Sequence, residues 1–165
     1  MSGRVIKIYA DQGWQDTGFA LPAWEENTGW LARTEGAWCF NTNSRSIGTR
    51  DADGRIPDSG KTTDTNVQGR TEHPYHGENA QTGQLVGRWG EDGQPFIVGT
   101  HCNLENKGDG RSGGTLWLRM NDHDGGLADN DGYVTVTIAT FDRTRRTQWD
   151  SAAKQWVYSD TRTPV

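Results

Sequence analysis

Apolar and polar residues alternate with a period of two through several short stretches of this chain. Leu116, Leu118 and Met120 alternate with Trp117, Arg119 and Asn121, while Val134, Val136 and Ile138 alternate with Tyr133, Thr135 and Thr137. Each run is the pattern of a strand with one buried face. R-V-I-K-I-Y-A at 4–10 predicts a first strand ending at the turn-like D-Q-G, and W-Q-D-T-G-F predicts a second. G-Q-L-V-G-R-W-G, E-D-G-Q and P-F-I-V-G-T read in turn as strand, hairpin turn and returning strand, with Leu85 inward and Phe96 and Val98 on one face. Q-W-D-S-A-A-K-Q-W-V-Y near the end predicts one last turn and strand. No segment carries a 3.6-residue apolar stripe. Eight or so evenly spaced strands predict an all-β domain, a two-sheet jelly-roll β-sandwich.

Composition sharpens that picture. The 165 residues predict a single domain over 1–165, with a long polar loop at about 41–69 and a C-terminal extension after about 142. Only 32% of residues are hydrophobic, yet 22 glycines accompany 8 tryptophans. Trp24, Trp30, Trp38 and Phe40 concentrate aromatic area early in the chain, and packing is the commoner use of such residues than a sugar platform. The net charge of −5 argues against nucleic acid and anionic membranes as partners. The one basic cluster, R-T-R-R at 143–146, reads as a solvated strand end. Nothing has the length of a transmembrane helix, and M-S-G-R-V lacks the apolar run of a secretory signal. A soluble protein without membrane insertion, cytoplasmic or released, is the expectation. Cys39 and Cys102 are too few for a disulfide framework, and their pairing stays open.

The chemistry concentrates between the two alternating strands. Four carboxylates (Asp122, Asp124, Asp129, Asp131), the amide of Asn130 and three glycines fall within residues 122–132. Carboxylates that close repel one another unless a positive charge sits among them, and a hard cation with oxygen ligands, most simply Ca²⁺, answers that. A plain acidic turn is the competing reading, because Asp, Asn and Gly favour turns for backbone reasons alone. An EF-hand is excluded: the glycines at 125 and 126 come too early for its sixth position, and the twelfth position is Tyr133. D-A-D-G at 51–54 reads as a solvated turn rather than a second cation loop. His73 and His76 in E-H-P-Y-H-G have a spacing that could serve Zn²⁺, but without a third ligand nearby they read as surface residues on a loop pinned by Pro74.

Three blocks then carry a resemblance. G-x-x-E-H-P-x-x-G runs from Gly69 to Gly77, and G-x-L-V-x-x-x-G from Gly83 to Gly90. N-D at 121–122 leads through the glycine-rich loop to D-N-D-G and the strand Y-V-T-V-T-I. With an early G-x-W at Trp38, the chain resembles the LecA (PA-IL) family of calcium-dependent, galactose-binding bacterial lectins over most of residues 5–140. The resemblance implies a Ca²⁺ held by Asp122, the carbonyl of Gly126, Asp129 and Asn130, with a distant carbonyl from Phe40 or Asn41. It implies that two vicinal sugar hydroxyls complete the cation's sphere and that His73 reaches the hydroxymethyl group. The sugar-binding set is then His73, His76, Asp122, His123, Gly126, Asp129 and Asn130.

Several positions depart from the family pattern. Gly126 replaces a hydroxyl-bearing residue, His76 replaces a glutamine, and Asp129 replaces an amide. The segment after Phe40 is longer than is usual in the family, and the chain runs past the family's end. These departures keep the calcium set and leave sugar preference as the open point. The function expected is a lectin rather than an enzyme, with galactose-type sugars or glycoconjugates as partners. A homo-oligomer is expected too, because weak single sites gain from multivalency. Two alternatives compete with it. In one, calcium is structural and the domain is a targeting module of a larger assembly. The other is a hydrolase using the acidic loop with His73, His76, His101 or His123 as base, for which no nucleophile elbow or H-E-x-x-H is present.

Overall fold

The computed structural model describes residues 3–57, 65–108 and 114–159. Among them twelve strands form three sheets, and helix is limited to a four-residue turn and two short 3-10 segments. The larger sheet contains β1 (Gly3–Tyr9), β3 (Thr28–Glu35), β4 (Trp38–Cys39), β5 (Thr49–Arg50), β8 (His101–Asn103) and β10 (Asp131–Asp142). Its order is β5-β4-β10-β3-β8, with β1 pairing the other edge of β10. The second sheet runs β2 (Gln15–Asp16), β9 (Leu116–Met120), β6 (Leu85–Trp89) and β7 (Phe96–Ile97). The two-sheet all-β sandwich expected from the alternation is present.

Register explains how the sheets meet. Antiparallel pairing sets Ile6 opposite Val136 and Ile8 opposite Val134, so the apolar residues of β1 and β10 share one face. Leu85 opposes Met120 and Trp89 opposes Leu116 on the facing sheet. These residues, with Trp30, Ala32, Trp38, Phe96, Val98 and Leu104, make one continuous core. Gly87 lies in that layer opposite Leu118, where an added Cβ would stand 3.0 Å from Val98 Cγ2 and 3.1 Å from Leu118 Cδ2. Only glycine leaves room there for the neighbouring side chains of its own sheet. The tryptophans divide accordingly. Trp30, Trp38 and Trp89 are core residues, whereas Trp24 is exposed.

Two expectations change. The last turn and strand are a complete hairpin, β11 (Thr147–Asp150) with β12 (Gln155–Tyr158), forming a small third sheet. Its Trp149 and Trp156 pack on Leu31, Ala139 and Phe141 of the outer face of the larger sheet. The segment after Phe40 is not a plain polar loop either. It holds a helical turn (Arg45–Gly48), strand β5, and the fully buried Arg50. The Arg50 guanidinium donates to the carbonyls of Ile47 and Gly54 and lies 5.4 Å from the centre of the Phe40 ring. A charge satisfied by carbonyls and an aromatic face anchors a segment that has too few apolar residues to anchor itself. Residues 58–64 of the same segment lie outside the described residues.

D-A-D-G at 51–54 is a turn, though not a solvated one. Asp51 Oδ1 accepts from the N–H groups of Asp53 and Arg55, and Asp53 accepts from the backbone and hydroxyl of Thr100. Its oxygens serve protein donors. Cys39 and Cys102 are free thiols, both buried, with that of Cys102 pushed up to about 11 by burial. No helix is long and apolar enough to cross a membrane among the described residues.

Candidate functional site

The loop between β9 and β10 turns one end of the sandwich into a cleft. Strand β9 ends at Met120, after which Asn121 and Asp122 are both buried, and residues Asp124–Asp129 wind into a short 3-10 segment. His123 enters that segment in extended conformation, its carbonyl accepting from Gly126 N at 2.9 Å. The winding exists because the segment is rich in glycine and short side chains. A Cβ on Gly126 would stand 3.0 Å from His123 Nε2 and 3.2 Å from Asp122 Oδ1.

Two distant segments close on this loop. Thr42 N donates to the Asp129 carbonyl at 2.9 Å, which draws residues 40–42 against the loop. Asn121 accepts from Tyr75 N at 3.0 Å and donates to the carbonyls of Tyr75 and Gln81 at 2.9 and 3.1 Å. That fixes the segment containing His73 beside Asp122. The result is a cleft of about 400 Å³ lined by Phe40, Asn41, His73, Asp122, His123, Gly126 and Asp129. Thus seven of the residues expected at the site line one cleft. Thr65, Asn66, Val67, Arg70, Glu72 and Thr82 line it too and were not expected there.

Asn130 does not line the cleft, but it stands directly behind Asp122. Its Nδ2 donates to Asp122 Oδ2 at 3.0 Å and to the Ala10 carbonyl at 3.0 Å. Its Oδ1 is buried and accepts no hydrogen bond, in a residue only 6% exposed. Asp122, 5% exposed, has its other oxygen held by His123 N at 2.9 Å. Burial raises the Asp122 carboxyl above the ordinary carboxylate range, opposed by the Asn130 hydrogen bond and the charge of His123. A buried carboxylate beside an orphaned amide oxygen is an electron-rich spot.

His73 is buried at 7% exposure, not a surface residue as its loop implied. Desolvation lowers its imidazole below the usual histidine range, against the pull of Asp122 and Glu72. Burial thus favours its neutral form. Its Nε2 sits 3.5 Å from the Thr82 hydroxyl, and its Nδ1 has no hydrogen-bond partner, the nearest carboxylate oxygen being Glu72 Oε1 at 3.7 Å. The His123 ring meets it edge-on, 5.7 Å between centres.

His76 is placed differently. Its Nδ1 contacts the His73 carbonyl at 3.0 Å, and its ring lines an adjacent cleft with Trp14, Arg88 and Asp124 rather than the one holding Asp122. His73 borders this second cleft too, but the His73 carbonyl already engages His76 Nδ1. Asp124 and Asp131 also turn away from the cleft. Asp124 pairs with the buried Arg119 at 2.8 Å, and Asp131 pairs with Arg45 at 3.0 Å on the surface. No cluster of three or more His, Cys, Asp or Glu side chains fit to hold a metal occurs among the described residues. A cation held by Asp122 and Asp129 would need amide and carbonyl oxygens beside those two carboxylates.

No family model matches the sequence, and no curated protein matches it either. Solved structures do. The N-terminal domain of EclA, described as a PllA-like lectin, aligns with a TM-score of 0.52 and 21% identity, over 82% of this chain and 94% of that one. The chain has the fold of a lectin domain. At that identity the likeness speaks for the architecture and leaves the chemistry of the cleft to its own residues.

Proposed function

We propose that the cleft is a calcium-dependent carbohydrate site, in which a galactose-type sugar joins the cation's ligand sphere through two vicinal hydroxyls. The observation that carries this reading is the orphaned Asn130 Oδ1 beside the buried Asp122 carboxylate. Leaving such an acceptor unpaired costs about 1–3 kcal/mol, and a cation at that spot would remove the cost. Asp122, Asp129, Asn130 Oδ1 and the Gly126 carbonyl form an all-oxygen donor set of the kind Ca²⁺ takes, and two carboxylates balance its charge. For the distant carbonyl Phe40 fits better than Asn41, because the Asn41 carbonyl already accepts from Ser44 N at 3.1 Å. Bound calcium would supply direct ligation of neutral hydroxyls, which hydrogen bonds to a well-hydrated sugar rarely replace.

The chain's own residues would do the rest. Carboxylate oxygens of Asp122 and Asp129 accept hydroxyl protons and so orient the sugar. His73 and His123, which line the same cleft, offer further side-chain contacts to the sugar. The lectin description of the EclA domain supports carrying a carbohydrate ligand over to this chain. Assembly into a homo-oligomer would raise the avidity of so small a site. Calorimetric titration with galactose in calcium and again in EDTA tests the reading, with the binding that depends on Asp122 expected only in calcium. A glycan array in calcium with no ligand would overturn it. Calcium uptake without any sugar binding would then leave the cation structural.

A further inference from the structure

The outer face of the larger sheet carries a second recess, remote from the calcium loop in its chemistry. Strand β10 turns Tyr133, Thr135 and Thr137 outward, opposite to Val134, Val136 and Ile138. Register sets Lys7 and Glu35 on either side of Thr135, and Val5 and Arg33 on either side of Thr137. The C-terminal hairpin covers only the far end of this face, where Trp149 and Trp156 meet Leu31, Ala139 and Phe141. Its edge, Trp149 with Lys154, walls a recess of about 580 Å³ whose floor holds Tyr133, Thr135, Thr137 and Glu35. That volume is within the usual range of small-ligand sites, about 300–1,000 Å³.

We propose that this recess is a second, calcium-independent glycan site, which takes a neutral oligosaccharide with Tyr133 as stacking platform and Glu35 as hydroxyl acceptor. Tyr133 is 44% exposed, and it is held by the Tyr9 ring at 5.8 Å and by the Lys7 ammonium 4.8 Å from its centre. A fixed ring with open area suits the apolar face of a pyranose. Glu35 is bracketed by Arg33 at 3.5 Å and Lys154 at 3.9 Å, so its carboxylate is positioned while acceptor sites remain for hydroxyls. Glu35 and Lys154 cancel in charge, which favours a neutral ligand over an ionic one. An ion pair and two threonine hydroxyls among the lining residues also argue against a protein partner, since the centres of such interfaces are depleted in charge. The recess shares no lining residue with the cleft at Asp122.

Saturation-transfer NMR with lactose and with cellotriose, in EDTA, tests the proposal. Wild-type protein should transfer saturation to at least one of them without calcium. Tyr133→Ala should weaken that binding about tenfold, the scale of one lost stacking contact. Glu35→Gln provides a second variant that preserves shape. Asp122→Asn should keep the EDTA signal, which separates this site from the calcium cleft and makes the two failures distinguishable. No transfer in EDTA, or transfer unchanged in Tyr133→Ala, overturns the proposal. So does sugar-independent self-association that Tyr133→Ala abolishes, since it would make the face a contact between copies of the chain.

Discussion

The side-chain amide of Asn121 clasps the backbone of Tyr75 from both sides, accepting from its N–H at 3.0 Å and donating to its carbonyl at 2.9 Å. Residues 46 apart in sequence are thereby locked at the base of the cleft, and the same amide also donates to the Gln81 carbonyl. Asn121 is fully buried, so Asn121→Ala leaves three backbone groups without their partner. We expect a loss of about 2–4 kcal/mol in denaturant unfolding. Because the clasp holds the His73 wall and not the acidic loop, sugar affinity should fall by more than calcium affinity, which parallel titrations would separate.

Calcium should stabilise the fold, since its proposed ligands come together only in the folded chain. At a hundredfold excess over its dissociation constant the gain is about 2.7 kcal/mol, or roughly 5–10 °C in melting temperature for a domain of this size. Asn130→Ala removes the orphaned Oδ1 and should abolish most of that shift. It also removes the Nδ2 hydrogen bonds to the Ala10 carbonyl, Met120 Sδ and Asp122 Oδ2, so the calcium-free variant should melt lower as well. A full calcium shift in Asn130→Ala, measured by differential scanning fluorimetry with and without EDTA, would remove Asn130 from the site.

How far the sequence reached is visible at these same residues. The alternation at 116–121 and 133–138 located both central strands, because a sandwich strand with one buried face imposes period two. Asp122 and Asp129 were legible from the acidic loop and the resemblance. Asn121 was legible only as part of a motif, because a buried structural amide looks no different in sequence from a surface one. His73 was misjudged as exposed for a related reason: the clasp that buries its loop comes from a strand end far along the chain. Thr65 and Asn66 lay in a segment without apolar landmarks, and what draws it in is Arg50, a charged residue that patterning assigns to solvent.

In the calcium-free protein, two buried groups give stability opposite pH slopes in different windows. Asp122 has its folded pKa raised above the ordinary 3.8, so the fold takes up a proton before the unfolded chain does. Its contribution is present below pH 3.8 and is lost as pH rises through the raised value. His73 has its folded pKa lowered from 6.5, so its contribution is present above pH 6.5 and is lost as pH falls through the lowered value. Urea midpoints measured in EDTA across pH 3–8 should therefore change in Asp122→Asn on the acid side and in His73→Gln on the neutral side. The same midpoints falling together in wild type and both variants would deny either group that role.

Gly126 should be intolerant of even one carbon. An added Cβ would approach Asp122 Oδ1 to 3.2 Å and His123 Nε2 to 3.0 Å, and Asp122 is a proposed ligand of the cation. Gly126→Ala should leave global stability within about 1 kcal/mol, as expected for a half-buried loop position. It should nonetheless weaken calcium by about tenfold by displacing the carboxylate. Equal calcium affinity in calorimetry would mean the loop yields freely and that its glycines serve only the turn.

Arg50 provides the sharpest case of a residue that charge alone does not explain. Its guanidinium donates from Nε to the Ile47 carbonyl and from Nη1 to the Gly54 carbonyl, with the Thr65 hydroxyl at 3.4 Å. A lysine keeps the charge but presents one compact ammonium in place of a planar fork, and it cannot stack on Phe40 in the same way. Burial already disfavours the charged form of Arg50, and an ammonium with fewer acceptors in reach would be disfavoured more strongly. Arg50→Lys should therefore cost about 2–4 kcal/mol in spite of conserved charge. Phe40 and Thr65 both line the cleft proposed to hold calcium, so the loss should reach the site as weaker sugar binding. Arg50→Met keeps the length and drops the charge, and if it is the more stable of the two variants, the guanidinium is held by its geometry rather than its charge. If lysine matches wild type in both stability and sugar affinity, the anchoring role assigned to Arg50 is wrong.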